Sequence, residues 1–433
     1  MTTHARSRRA TPWLAAVAAL LVAGCGGPSA PTVTVHGRLV MGPDVPIAGA
    51  LVHAQGRLVT SDAEGRFALS GVTTPYTLTV ASTAAPQWAH VVEGLTSAAP
   101  VIAPPVPSSP WLLPGAYLSA RITGATPNTN PLPPGQRLEL AVEGIDARVL
   151  GRARVEAGDD AFDLDALWWT PGDVDVRLHA LLLQVDAGDR PIGVLGYGSV
   201  PLTLAPNGTV LQIAPSGPPS AAVGLQGAVA VAGGGTLERL AVGLSLDGSS
   251  ILPLVSGVPG GASIDFVAPL LASRPLAVSV TAGFAAGGGI AWAAVDPSAP
   301  FTLEVPAPPQ PLAPVDGAEG VTGATPFTLA GDASHMHEFS WTRVGGGETL
   351  SVTLLTRRTS VTLPDLTPVN LAWTPGATYA WTVTEWHDGD ADAVARLPVR
   401  DEWLALVALG AVGMDADGWI TGTYPGREVT LAP

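Results

Sequence analysis

The chain has no lysine and a single cysteine in 433 residues. Every side chain of permanent positive charge is therefore an arginine, and whole classes of chemistry fall away. Nothing can form a Schiff base, reach nucleotide phosphates as a loop lysine, or act in a Ser–Lys dyad. Lys–Asn isopeptide cross-links are excluded for the same reason. One thiol cannot close an internal disulfide, so stability must come from apolar burial and backbone pairing. Charge is scarce as well: charged residues make up 13% of the chain and hydrophobic ones 47%. A disordered stalk needs the opposite balance. The apolar run from Trp13 to Ala23 falls short of the roughly 20 residues that a membrane-spanning helix requires.

Glycine, with 51 residues, and proline, with 42, are abundant. Many short strands joined by Gly/Pro turns account for both the turn residues and the apolar content. Three of the 21 arginines, Arg6, Arg8 and Arg9, precede the first apolar run, which leaves 18 against 36 acidic residues in the remainder. Such a surface repels nucleic acid and anionic head groups, so no nucleic-acid partner is expected. No cofactor is expected either. The length suits about three or four domains.

Arg6, Arg8 and Arg9, the apolar stretch Trp13 to Ala23 and Val22-Ala23-Gly24-Cys25 follow one another in the order of an export signal. The last four residues resemble the lipobox of bacterial lipoproteins. That resemblance implies cleavage after Gly24, lipidation of Cys25 and a membrane partner held through the lipid. Ser7-Arg8-Arg9 hints at twin-arginine export, but Thr11 and Pro12 occupy positions where that signal wants large apolar residues, so general secretion is expected. Gly26, rather than Asp, after the cysteine implies the outer membrane of a host with two membranes. The expected division is a signal peptide at 1–24 and a tether at 25–32.

Beyond the tether the chain reads as all-β, a tandem of β-sandwich domains. Val33, Val35, Gly37 and Leu39 alternate with polar residues, which gives a half-buried strand. In Ser61-Asp62-Ala63-Glu64-Gly65, Asp62 can bond its own downstream backbone and Gly65 can turn left-handed, so a hairpin is predicted. The strings Gly37–Val40, Pro46–Val52, Thr60–Leu69 and Tyr76–Val80 resemble a carboxypeptidase regulatory-like module, a transthyretin-like sandwich, over 33–106. In that family the module is an accessory without catalytic residues. Prolines from Pro100 to Pro114 read as a stiff linker.

Two further sandwiches of unknown type are expected at 107–214 and 215–305. In the first, Asp173 to Ala180 alternates with its acids, Arg177 and His179 on one face. A second proline run, Pro297 to Pro314, precedes 306–433. There Phe339-Ser340-Trp341 and Pro375-Gly376-Ala377-Thr378-Tyr379-Ala380-Trp381 resemble the early and late strands of a fibronectin type III domain, with Tyr379 in the tyrosine-corner role. The stretch from Asp401 onward exceeds what that fold needs, and Glu402 to Leu409 suits either a helix or a strand.

The densest ligand cluster is His335-Met336-His337-Glu338. On a strand His335 and His337 share a face, and His-x-x-Glu echoes the ligand pair of zinc carboxypeptidases. That fold needs a βαβ framework absent from this pattern, and His387 stands far downstream, so the pair is read as strand-end or loop histidines without a metal. His387-Asp388-Gly389-Asp390-Ala391-Asp392 and Asp415-Ala416-Asp417-Gly418 gather oxygens as calcium loops do, but neither fits a twelve-residue loop. Asp388, Asp390 and Asp392 stand as metal candidates beside His335 and His337. The acids at 159, 160, 163 and 165 read as surface turns. Trp168-Trp169 is a candidate sugar-stacking platform, weighed against a core Trp beside a loop-packing one. Gly196-Tyr197-Gly198-Ser199 lacks the frame of a nucleophile elbow. No catalytic set is assigned. The expected function is a non-enzymatic, lipid-anchored envelope protein that presents its modules to a protein or glycan, or acts as a spacer. The alternative is an envelope-polymer hydrolase with its site in 107–305.

Overall fold

The computed structural model describes residues 32–41, 45–104, 117–127, 131–145, 147, 149–212, 214–217, 222–246, 250–257, 263–269, 276–285, 287–295, 299–345, 349–387, 389–395 and 419–433. Cys25, Asp388, Asp415, Asp417, Glu402 to Leu409 and most of the first proline linker lie outside them.

The protein is all-β. The first segment contains β1 (Thr32–Met41), β2 (Val45–Pro46), β3 (Leu51–Ala54), β4 (Arg57–Thr60), β5 (Arg66–Thr73), β6 (Tyr76–Ser82), β7 (Gln87–Leu95) and β8 (Val101–Ile102). The second contains β9 (Leu118–Ala125), β10 (Gln136–Gly144), β11 (Val149–Leu150), β12 (Arg152–Val155), β13 (Ala161–Trp168), β14 (Val174–Val185), β15 (Pro191–Leu204) and β16 (Thr209–Leu211). The third contains β17 (Ala222–Val231), β18 (Thr236–Leu246), β19 (Ser250–Gly257), β20 (Ser263–Pro269), β21 (Leu276–Phe284), β22 (Gly287–Val295) and β23 (Phe301–Val305). The fourth contains β24 (Gln310–Ala313), β25 (Ala318–Val321), β26 (Phe327–Ala330), β27 (Met336–Arg343), β28 (Leu350–Thr356), β29 (Ser360–Val361), β30 (Thr378–Trp386) and β31 (Trp419–Leu431). Among the described residues the longest helix is the turn Ala391–Val394, and none is long and apolar enough to cross a membrane.

Local sequence explains the strands. In β13, Phe162, Leu164, Ala166 and Trp168 are buried while Ala161, Asp163 and Asp165 face solvent, the period of two that a one-sided sheet requires. The predicted hairpin turn is present: the Asp62 carboxylate accepts the N–H groups of Glu64 at 3.0 Å and Arg66 at 2.7 Å. Gly65 has φ of 73°, and a Cβ there would stand 2.3 Å from the Leu39 carbonyl oxygen. Only glycine suits that position.

The second segment is a sandwich of two four-stranded sheets, β12-β10-β14-β15 and β11-β13-β9-β16, closed over Ile122, Leu140, Leu164, Trp168 and Leu178. Its β10 is buried on both faces. One face lines this core, and the other carries Ala141, which joins Leu181, Leu183 and Val194 in the core of the third segment. The alternation in β14 therefore does not mark one wet face: Asp175 and Arg177 are exposed, but His179 is buried between Glu143 and Tyr197.

The remaining segments share a sheet. A 13-stranded sheet runs β19-β18-β21-β22-β31-β30-β27-β28-β7-β6-β3-β4, with β25 beside β31. The tail strand β31 pairs with β22 of the third segment and β30 of the fourth. Strand β28 pairs in parallel with β7, from Leu350 opposite Gln87 to Leu355 opposite Val92. Smaller sheets cover this one on opposite faces. Met336, Leu355 and Trp386 enter the core under β1 and β5. Their strand neighbours Phe339, Leu354 and Val383 enter the core of the fourth segment, together with Ala81, Ala89 and Val91 from the first.

Candidate functional site

The end of the fourth segment's core brings together the ligand-type side chains. Strands β27 and β30 are antiparallel, with Trp341 opposite Trp381, Phe339 opposite Val383 and His337 opposite Glu385. Side chains two apart share a face, so His337 and Glu385 form the next rung after an apolar stack. Phe327 closes that stack edge-on, with ring centroids 5.3 Å from Trp341 and 5.2 Å from Trp381. One rung further, His335 and His387 stand with centroids 4.2 Å apart.

The contacts are close. His335 Nδ1 lies 2.7 Å from Glu385 Oε1 and His337 Nε2 lies 3.6 Å from the same oxygen. Ligand atoms of His335, Glu385 and His387 all fall within 4.8 Å of one another. Burial opposes ionisation of Glu385, but the facing imidazoles of His337 and His335, the nearby His387 and the Asp332 N–H outweigh it and hold the carboxyl at about 2. It is a carboxylate at any ordinary pH. His337 is fully buried, and neither ring nitrogen makes a hydrogen bond of ordinary length; Nε2 stands in a longer contact with Glu385.

The loop before β27 sets the mouth of the cluster. The Asp332 carboxylate accepts the Ser334 N–H at 2.8 Å, the His335 N–H reaches the Asp332 carbonyl at 3.0 Å, and Arg357 donates to the Ser334 carbonyl. Gly331 packs against one wall: a Cβ there would lie 2.3 Å from Leu329 Cδ1, 3.0 Å from His337 Nε2 and 3.7 Å from Glu385 Oε1.

The His-x-x-Glu pairing suggested by sequence is not formed. Glu338 belongs to the other face of β27, where Ser340 Oγ donates to it at 3.3 Å. Glu385, absent from the sequence-based candidates, takes its place. The signal was present as two short patterns, His335-x-His337 and Glu385-x-His387, each presenting one strand face. Their meeting depends on register between strands some 50 residues apart.

The acidic loop after His387 is structural at both described candidates. Asp390 caps the helical turn by accepting the Ala393 N–H at 2.8 Å. Asp392 accepts the Thr96 N–H at 3.0 Å, the Thr96 hydroxyl at 2.7 Å and the Ser97 N–H at 3.1 Å. Both carboxylates thus accept hydrogen bonds from within the fold, which suits the reading of these acids as turn residues rather than calcium ligands. Trp168 sits as a core residue rather than a stacking platform: its ring is fully buried and its Nε1 donates to the Gly172 carbonyl at 3.1 Å. Trp169 is half-buried against the core of the first segment. Asp159, Asp160, Asp163 and Asp165 are exposed, and Asp163 pairs with Arg121.

Two polar groups inside 107–305 were not anticipated. His179 stands between Glu143 and Tyr197, with Nε2 on Glu143 and Nδ1 2.7 Å from Tyr197 Oη. Arg137 lies 2.8 Å from Glu139 and 2.6 Å from Asp189, and donates to the Leu254 carbonyl of the third segment. Arg137, Glu139, Glu143 and His179 are all buried.

No protein-family model matches the chain, and no curated protein matches it. Solved structures with some similarity include the Bacillus anthracis TIE protein, at 9% identity and TM-score 0.16, over 64% of this chain and 50% of that one. A leucine-rich repeat protein from Bacteroides thetaiotaomicron is similar at 9% identity and TM-score 0.16, over 44% of this chain and 26% of that one. The major pilin protein of Streptococcus pyogenes is similar at 10% identity and TM-score 0.12, over 56% of this chain and 98% of that one. The chain thus spans half the length of the first and about a quarter of the second.

Proposed function

We propose that this is a lipid-anchored protein of the bacterial cell envelope, non-enzymatic, whose β-sandwiches form a stiff body for contact with a protein or glycan or for spacing. The observation that carries the reading is the leader: Arg6, Arg8 and Arg9, the short apolar run and Val22-Ala23-Gly24 before the sole cysteine. Outer-membrane placement follows from Gly26 where the host has two membranes. The all-β body supports a mechanical role, because extended ladders resist deformation better than a chain of loosely tethered modules. The regulatory-like reading of 33–106 gains support from the Asp62–Gly65 turn. The fibronectin type III-like reading of 306–433 gains support from Tyr379, buried with its hydroxyl accepting the Thr374 N–H at 3.2 Å.

Replacing Cys25 by Ser tests the anchor. The wild-type chain is expected in the membrane fraction and in the detergent phase, and the C25S chain in the aqueous phase. Retention of C25S on membranes defeats the proposal.

The rival reading, a hydrolase of envelope polymers within 107–305, draws on the Glu143–His179–Tyr197 chain, a carboxylate–imidazole–hydroxyl arrangement. His179 is sealed from solvent, which favours a structural role. Incubation of the purified chain with cell-wall peptidoglycan and envelope polysaccharide distinguishes the two. Fragments released by the wild type and not by Tyr197→Phe would replace the binding reading with the enzymatic one.

A further inference from the structure

The geometry points to a binding site for a divalent transition ion of the Zn²⁺ class, with His335, Glu385 and His387 as its ligands. The inference is independent of the anchor and the envelope setting. It rests on the two-by-two grid of side chains at the open end of the β27–β30 ladder.

Three features argue for an ion there. The donor set is two imidazoles and one carboxylate, the borderline-soft combination that Zn²⁺ and its neighbours take and that hard Ca²⁺ does not select. The spacing fits, because ligand atoms on a tetrahedral Zn²⁺ lie about 3.4 Å apart, from bond lengths of about 2.0–2.2 Å. The donors already gather within 4.8 Å, so only small side-chain rotations are needed. An independent observation is His337, fully buried at the floor of the cluster, with no hydrogen bond of ordinary length and Glu385 just beyond that reach. With its Nε2 3.6 Å from Glu385 Oε1, His337 is placed to support the ligating carboxylate from behind, as outer partners of metal ligands do.

The bland alternative is a polar plug at the end of an apolar core. A plug accounts for His335 and Glu385, which pair at 2.7 Å. It does not account for a second and third imidazole on the same carboxylate, one of them fully buried. The backbone at Gly331 packs close to the cluster: a Cβ there would meet Leu329 Cδ1 at 2.3 Å and stand 3.0 Å from His337 Nε2.

The ligands come from the loop entering β27, from β30 and from its exit. An ion would therefore tie β27 to β30 at the end of their ladder, where the apolar stack gives way to polar residues. Three protein ligands leave one position open, so a fourth donor, water or a group on a partner, can complete the shell.

The test uses the untagged full chain, stripped with a chelator and titrated with Zn²⁺ alone or Co²⁺ alone. The expected result is one ion per chain, visible Co²⁺ bands of a four-coordinate N/O site, and a raised Tm on Zn²⁺ addition. Affinity should fall at least tenfold in His387→Gln and in Glu385→Gln, and stay unchanged in His36→Gln, an exposed histidine on β1. If either ligand variant fails to fold, X-ray absorption of the wild-type Zn²⁺ complex decides the matter. A shell with two imidazoles supports the site, and a shell of oxygens alone overturns it. No stoichiometric binding by the wild type, or wild-type affinity retained in both E385Q and H387Q, also overturns it.

Discussion

At the scale of residues, the costly groups are those buried with a charge. Arg137 and Glu139 are both shut away from water, and the pair is held in a seam where Arg154 reaches Glu139 at 2.9 Å. Burial pushes the Glu139 carboxyl up to about 7, against the pull of Arg154 and Arg137. Removing one partner of such a pair leaves the other desolvated. Arg137→Met is therefore expected to destabilise the chain by about 3–5 kcal/mol, read as a lower urea midpoint. The double variant R137M/E139L should recover much of that loss. A single variant as stable as the wild type would show that Arg154, not Arg137, compensates Glu139. Asp392 belongs to the same scale. Three donors from Thr96 and Ser97 converge on it, so it anchors the first segment to the last and is not free for an ion.

At the scale of elements, the join between β7 and β28 decides how the first and fourth segments act together. It combines a parallel backbone ladder with polar locks. His90 Nδ1 lies 2.6 Å from Thr353 Oγ1. Glu93 accepts the Thr356 hydroxyl at 2.6 Å and Arg358 Nε at 3.0 Å. Burial drives the His90 imidazole down to about 3, so the folded chain keeps it neutral while the unfolded chain protonates it near the ordinary value. Between those two values the unfolded state holds the extra proton, and stability falls as pH drops. The loss is about 1.4 kcal/mol per pH unit below about 6.5. Urea titrations at pH 7 and pH 5 should show a smaller acid loss for His90→Asn than for the wild type. Parallel acid losses in the two proteins would place the sensitivity elsewhere.

At the scale of the whole molecule, sheet continuity makes the segments interdependent. Strand β31 bridges β22 and β30, and β28 continues into β7. Leu150, Leu167 and Trp169 of the second segment pack on the first core, and Ala141, Leu181 and Leu183 pack on the third. Opening the first segment therefore strips the edge of the fourth. Native-state hydrogen exchange should give the amides of Val80 in β6 and Val383 in β30 opening free energies within about 1 kcal/mol of each other. Values several kcal/mol apart would mean that the two segments open independently despite the shared sheet.

What could be read from sequence was local. Alternation of apolar and polar residues reports strand geometry because successive side chains of an extended backbone point to opposite faces, whatever those faces later meet. The Asp62–Gly65 turn was legible for the same reason, since its bonds span neighbours. Absent lysine and scarce cysteine excluded chemistries without any structure. The partner of each strand was decided by tertiary packing, because hydrogen-bonding edges carry no address in composition. Packing hid His179 between Glu143 and Tyr197, turned Trp168 inward and spent Asp392 on a distant loop. It also set the register that put His387 beside His335 and Glu385 beneath both. A site assembled across separate strands exists only once the core between them has fixed their alignment.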